Sequence, residues 1–273
     1  LGMRPWTRME CARLLQESQD RVTDPENEGS EAWRLQRELS AEFESEITLL
    51  GGGDNAQFRV ESIYTRGTVI SGRPLTNGYV FGQTIINDYG RPYEQGFNDV
   101  SGASAWGEVG PFVGYVRGEY QHAASAPPLS DAERMIIQDA ELLPTAPPAT
   151  PISAIDRMDA LEAYVGMNFG NWQVSFGKQA QWWGPDASGP MIFSNNAEPV
   201  MMFKIDRVSP FKLPWVLGLM GPIRAQFFLG QLQGHHFLFG PNGLVGGYAT
   251  PVHPQPMILG YKLSFKPTPN VEY

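Results

Sequence analysis

Leu161-Glu162-Ala163-Tyr164-Val165-Gly166-Met167-Asn168-Phe169, then Gly170-Asn171, then Trp172-Gln173-Val174-Ser175-Phe176-Gly177, reads as a β-hairpin. Leu161, Ala163, Val165, Met167 and Phe169 alternate with Glu162, Tyr164, Gly166 and Asn168, the period-2 pattern that puts one set on each face of a β-strand. Gly170-Asn171 supplies a two-residue hairpin turn. Alternation resumes at once, with Trp172, Val174 and Phe176 opposite Gln173, Ser175 and Gly177. The same reading sets Ile223-Ala225-Phe227-Leu229 against Arg224, Gln226, Phe228 and Gly230. It also sets Leu259-Tyr261-Leu263-Phe265 against Gly260, Lys262, Ser264 and Lys266. Further strands are expected at 58–70, 78–88, 101–108 and 112–122. In the last, Phe112, Val116 and Tyr120 oppose Arg117, Glu119 and Gln121.

Composition agrees with this pattern. Glycine is 30 of 273 residues and aromatics are 12 %, while charged residues are 18 %, below the globular share of about 25 %. Many short strands and tight turns fit these figures; a helical bundle or a disordered chain does not. A net charge of −9 excludes a nucleic-acid surface, which needs clustered cations to neutralise phosphates. The longest mostly apolar run, Leu213 to Ile223, contains Pro214 and Pro222 and falls short of the roughly 20 residues a spanning helix needs.

Charge density changes near residue 51. Residues 1–50 hold 6 Lys/Arg and 11 Asp/Glu of the chain's 20 and 29. Thr7-Arg8-Met9-Glu10 has capping-box spacing, predicting a helix from about Arg8 to Arg21. A second helix is predicted from about Glu31 to Leu50, with Leu35, Leu39, Phe43 and Ile47 on one face and Gly51-Gly52-Gly53 ending it. From 51 to 273 strands follow, interrupted by a Pro- and Ala-rich insertion at about 123–155. Within it Ser130-Asp131-Ala132-Glu133 is another capping box, opening a short helix to about Leu143. The chain opens at Leu1-Gly2-Met3 close to a helix start and stops at Val271-Glu272-Tyr273 where a strand begins; it reads as part of a longer chain.

Alternation alone fits a soluble sandwich and a membrane barrel equally, since in both one strand face meets water. Three features favour the barrel. The clean strands run about 9–11 residues, the length that crosses hydrocarbon when tilted. Their apolar faces are nearly unbroken, with Trp172, Phe169, Tyr261 and Phe265 close to strand ends, where interfacial aromatics sit. Their polar faces carry both signs, with Glu162, Arg117, Glu119, Arg224 and Lys262 able to pair inside a lumen. The expected fold is mainly β: an antiparallel transmembrane β-barrel, incomplete in this chain, with a small N-terminal helical region.

A series of motifs then occurs in order: Leu161-Glu162-Ala163-Tyr164-Val165-Gly166, Phe176-Gly177-Lys178-Gln179, Trp182-Trp183-Gly184-Pro185, Phe193-Ser194-Asn195-Asn196-Ala197-Glu198-Pro199 and Asp206-Arg207-Val208-Ser209-Pro210-Phe211. Gly221-Pro222-Ile223-Arg224, Gly234-His235-His236 and Phe265-Lys266-Pro267-Thr268-Pro269-Asn270 follow, and Met3-Arg4-Pro5-Trp6-Thr7-Arg8 precedes them. The set resembles the Wzi capsule-assembly family, most densely from 160 to 270. That resemblance implies an outer-membrane barrel with residues 1–50 as part of a periplasmic helical region and 51–273 as part of the barrel. It also implies a role in attaching or organising capsular or other surface polysaccharide, with outer-membrane lipid around the wall. The family's barrel has more strands than the ten or so countable here.

Candidate ligand-binding residues are Trp182 and Trp183, whose indoles could stack on sugar rings, and Asn195, Asn196 and Glu198, whose amides and carboxylate suit sugar hydroxyls. Against this, the tryptophans could pack a loop into the lumen or anchor a rim, and Ser194 to Pro199 could be an ordinary turn. His235-His236 on a strand would point to opposite faces, and neither His122 nor His253 has ligand spacing with them, so no metal site is expected. Glycoside hydrolysis needs two flanking carboxylates. Glu162, Glu198, Asp186 and Asp206 are available, but nothing marks a pair. No Ser–His–Asp pattern, phosphate loop or dinucleotide fingerprint is present, so no enzyme activity and no cofactor are expected. Cys11, the sole cysteine, reads as a small apolar residue on a helix. Two rival readings remain, a porin-like channel or transporter and a soluble β-rich glycan-binding protein. Conductance of the full-length protein in a planar bilayer separates the first, and extraction without detergent the second.

Overall fold

A computed structural model describes residues 7–22, 29–72, 85–140, 151, 153–184, 189–190, 192–232, 239–240, 243–244 and 254–273. Three helices come first: α1 (Arg8–Val22), α2 (Glu31–Glu42) and α3 (Glu44–Leu50). The Thr7 hydroxyl accepts from the Glu10 N–H at 3.2 Å, as the capping spacing requires. The Glu10 carboxylate, expected to reach back, is instead met by Arg224 at 2.6 Å. The helix expected over 31–50 is divided at Phe43, whose backbone (φ −104°, ψ 19°) leaves the helical range. Leu35 and Leu39 remain exposed, and Gln36 and Glu46 are the buried positions. The buried contacts of α2 and α3 are polar, Gln36 with the Leu15 carbonyl and Glu46 with Arg8, so the leucine stripe does not set their orientation.

Among the described residues eight strands form one antiparallel sheet in the order β1 (Ala56–Ile70), β2 (Gly96–Val109), β3 (Phe112–Ala123), β4 (Ile155–Phe169), β5 (Trp172–Gln179), β6 (Val200–Arg207), β7 (Ile223–Gln231) and β10 (Met257–Phe265). A separate two-stranded ribbon joins β8 (Phe239–Gly240) to β9 (Gly243–Leu244). Among the described residues the sheet is open, with β1 and β10 at its edges. Phe169 and Trp172 pair directly, so the Gly170-Asn171 turn forms as predicted, with Gly170 at φ +54°. Helix α4 (Asp131–Ala140) lies in the insertion, and its capping box closes both ways: Glu133 N–H to Ser130 Oγ at 3.3 Å and Ser130 N–H to Glu133 Oε2 at 2.8 Å. The part of this helix expected beyond Ala140, and most of the expected strand at 78–88, lie outside the described residues. Strand β6 was not anticipated.

The two ends of the sheet differ. At the end nearest α1–α3, the connections at 110–111 and 170–171 are tight turns and 208–222 is moderate. At the other end the connections span 71–95, 124–154, 180–199 and 232–256. Short turns on one side and long loops on the other are the asymmetry of an outer-membrane-type barrel wall.

Its faces are inverted relative to a soluble sheet. Ile63 is 82 % exposed, Val165 64 % and Leu263 52 %, whereas Glu119, Gln121 and Arg224 are 0–1 % exposed. Phe58, Phe112, Phe169 and Trp172 line the exposed face near the short-turn end, as an aromatic girdle would. Alternation changes phase at two irregularities, between Val60 and Ser62 in β1 and opposite Arg117/Gly118 in β4. Leu161 is the extra residue in β4 and is fully buried; its place on the apolar outer face is therefore corrected, while Ala163 to Phe169 keep theirs. No helix among the described residues is long and apolar enough to cross a membrane.

Candidate functional site

Toward its long-connection end the polar face carries a linked network of ion pairs and amide hydrogen bonds, which offsets the cost of burying its charges. From the segment 85–95, Asp88 accepts from Arg66 at 2.6 Å and from Arg91 at 2.7 Å. Arg91 Nε donates to Glu119 Oε2 at 2.7 Å, and Gln121 Nε2 donates to the same oxygen at 3.0 Å. Gln121 Oε1 accepts from Arg157 Nε at 3.0 Å. Arg157 then reaches Glu198 Oε1 at 3.0 Å, and Lys178 bridges Glu198 and Asp159, both at 3.3 Å. The Arg117 guanidinium lies over the rings of Tyr64 and Tyr89, 5.1 Å from each. Burial works against the Arg91 charge, but hydrogen bonding to Glu119 and nearness to Asp88 outweigh it and hold the guanidinium protonated beyond its ordinary range. Burial, reinforced by Asp88, pushes the Tyr93 hydroxyl up, so it stays a neutral donor.

The connection 180–199 carries all five predicted site residues, and they divide in two. Trp183 is buried against Met202 and Phe228, with Phe193, Val200 and Ile258 around them. Its ring meets Phe193 and Phe228 edge-on at 5.1 and 5.4 Å, and its N–H donates to Gln226. Gly260 makes room for this cluster, since a Cβ there would lie 2.2 Å from the Phe228 ring. An indole enclosed in this way packs the loop into the lumen and offers no face to a sugar. Glu198 is the acceptor of Arg157 and Lys178 just described. Trp182, Asn195 and Asn196 are half-buried. The Asn195 carbonyl accepts from the Tyr89 N–H at 2.5 Å, and its amide donates to the Tyr89 hydroxyl at 3.3 Å. Asn196 Oδ1 accepts from the Asn87 N–H at 2.5 Å. The 85–95 and 180–199 segments are thus clamped together across the mouth of the sheet at its long-connection end. Sequence reasoning missed the 85–95 partner; the close spacing of Asp88, Arg91, Tyr93 and Glu94 was the available signal.

At the opposite end α1 closes on the same polar face. Arg8 pairs with Glu42 at 3.0 Å and with Glu46, and lies between the rings of Phe43 and Trp106 at 4.6 and 4.3 Å. Glu10 and Arg224, 2 % and 1 % exposed, form a buried pair between helix and wall. Burial pushes the Glu10 carboxyl up, opposed in part by Arg224. A cavity of about 230 Å³ remains beneath the helix, lined by Arg8, Glu46, Glu108, Glu162, Lys204 and Asp206 among others. Of the carboxylates considered for glycoside hydrolysis, Glu162 and Asp206 face this cavity and Asp206 is paired with Lys204 at 3.1 Å. Glu198 is held by two cations, which suits a structural anchor better than a proton donor. Asp186 lies outside the described residues, as do Pro185, His235, His236, His253 and Met3 to Trp6. His122 Nδ1 is 2.8 Å from Asp156. Among the described residues no group of three or more His, Cys, Asp or Glu could hold a metal. Cys11 is a half-buried free thiol on α1, and burial raises its pKa.

The family model described as capsule assembly protein Wzi matches residues 65–273. A similar solved structure is that of Wzi from Escherichia coli, described as an outer-membrane protein involved in group 1 capsule assembly and as a carbohydrate-binding β-barrel. The match has 19 % identity and a TM-score of 0.53, and covers 100 % of this chain and 46 % of that one. The chain therefore spans about half the length of the structure it resembles. No curated protein matches it.

Proposed function

The chain belongs to the Wzi capsule-assembly family, and from that premise we propose that it is part of an outer-membrane barrel that binds and organises capsular or a related surface polysaccharide. The observation that carries this reading is the inverted sheet, with its long connections all on one side and two of them clamped across the mouth. Residues 1–50 form the periplasmic side and 51–273 the wall, with the insertion at about 123–155 directed outward. On the outer side, Trp182, Asn195 and Asn196 meet the glycan through ring stacking and amide hydrogen bonds, while Trp183 and Glu198 hold the loop that presents them. Many weak contacts of this kind give retention without a chemical step, and no catalytic role is assigned to the lumen carboxylates.

The pairing of lumen charges and the seating of α1 favour an occluded barrel over a conduit. An ion crossing it would have to break pairs such as Glu10–Arg224 that are out of contact with water. The full-length protein in a planar bilayer is expected to be silent. The decisive experiment is deletion of the gene followed by measurement of polysaccharide on cells and in the medium. Shedding into the medium is expected, and unchanged retention would remove the capsule role.

A further inference from the structure

The connection between β6 and β7, residues 208–222, is unlike the tight turns beside it. Its centre is a 3-10 turn, Trp215–Met220, in which Trp215 is 94 %, Val216 77 % and Leu219 76 % exposed. Single exposed apolar residues are ordinary, but a contiguous apolar tip marks a contact surface. Trp215 also has φ +61°, a conformation unfavourable for a bulky residue.

The base of the connection is pinned on both sides. Phe211 and Ile223 exchange backbone hydrogen bonds of 2.9 and 2.7 Å, the Val208 N–H donates to the Asn171 carbonyl at 2.9 Å, and the Lys266 N–H donates to the Pro222 carbonyl at 3.1 Å. Gly221, at φ +74°, sits so close to β10 that a Cβ would fall 1.9 Å from the Lys266 carbonyl oxygen. The tip is held out by a pinned frame.

Beside the tip, Arg207 ends the outward row Met201, Phe203, Ile205 of β6. Its guanidinium lies over the rings of Trp172 and Phe211 at 5.0 and 5.5 Å. A cation stacked on aromatics at the rim of an apolar belt stands where lipid phosphate meets hydrocarbon. Exposed Lys212 adds a second positive charge there.

We propose that residues 211–220 are a membrane anchor in the periplasmic leaflet. Trp215, Val216, Leu217 and Leu219 lie among acyl chains, with Arg207 and Lys212 at the level of phospholipid phosphate. The continuity of the tip with the outer apolar face, and the cations at its base, select a phospholipid leaflet over a protein partner. The assignment rests on the barrel reading above. It is tested with a nitroxide on Leu217→Cys in the full-length protein, with Cys11→Ala and any other cysteine replaced, in vesicles of phosphatidylethanolamine and phosphatidylglycerol. A second label at Val165→Cys reports the barrel wall. Both labels should collide freely with oxygen and be shielded from a water-soluble nickel chelate, the 217 label at the shallower depth. Nickel access at 217 with a shielded 165 label would place the tip in water and overturn the anchor alone. An immobilised 217 label shielded from both quenchers would place it under protein and overturn it equally. Nickel access at 165 would overturn the barrel reading and the anchor with it.

Discussion

Ile63→Arg separates a wall in lipid from a sheet in water more sharply than any other change. Ile63 lies seven residues from either end of β1 (Ala56–Ile70) and points outward at 82 % exposure. At about 3.3 Å per residue those seven residues span roughly 23 Å along the strand, and a 45° tilt reduces this to about 16 Å of depth, half of the ~30 Å hydrocarbon layer. Ile63 therefore sits near the bilayer midplane. There an arginine on the lipid face costs about 2–4 kcal/mol, a decrease of roughly 30- to 700-fold in the folding equilibrium. In water the same change at so exposed a site stays within about 0.5 kcal/mol. Urea unfolding of full-length protein in phospholipid vesicles, followed by the loss of its heat-resistant gel mobility, measures the difference. Equal stability of wild type and variant would refute the assignment of this face to lipid.

Three further outcomes follow from the two ends of the wall. Trp183→Ala removes the centre of the Trp183–Phe193–Phe228 cluster and should cost about 3–5 kcal/mol, exposing 180–199 to limited proteolysis and weakening glycan retention; an unchanged cleavage pattern would contradict the anchoring role. Glu10→Ala removes the carboxylate that faces the buried Arg224 and should loosen the helices by about 3–5 kcal/mol, whereas Glu10→Met with Arg224→Met should come close to neutral; hydrogen exchange across residues 8–22 reads both. Burial alone would raise the Glu42 carboxyl, but hydrogen bonds from Arg8 and Arg59 prevail and hold it below its ordinary 4.5. A depressed carboxylate stabilises above that value and loses its contribution as pH falls through the lower, folded one. Exchange in α2 should therefore rise on acidification below about pH 4.5, and Glu42→Gln should abolish that dependence.

Much of this architecture was legible because a membrane barrel writes its two faces into alternate residues. Strands β1, β2, β3, β4, β5, β7 and β10 are each legible in the sequence, and the charged rows turn inward as expected. Strand β6 was not seen because Met202, on the inner side, packs with Trp183, making Val200 to Phe203 an unbroken apolar run with no alternation to detect. Leu161 was assigned to the wrong face because a bulge is one uncounted residue and has no composition of its own. The division at Phe43 and the redirection of Glu10 depend on Arg8 and Arg224, partners distant in sequence that no local pattern reveals. Trp183 could be read from sequence as a platform or as packing, and only the neighbours brought by β6 and β7 decide between them.

The bulge at Leu161 also governs how this wall tolerates changes in length. Ala160 faces out and Glu162 faces in, as they would if Leu161 were absent. Gly118 and Arg117 already pair with these two residues, so removing Leu161 alone would leave both halves of β4 in frame. Deleting a residue well away from this bulge would rotate part of the strand through the sheet and drive side chains such as Arg157 and Asp159, or Tyr164, toward hydrocarbon. Within β4, the bulge at 160–162 is where relatives of this chain can differ by one residue and still thread the same membrane.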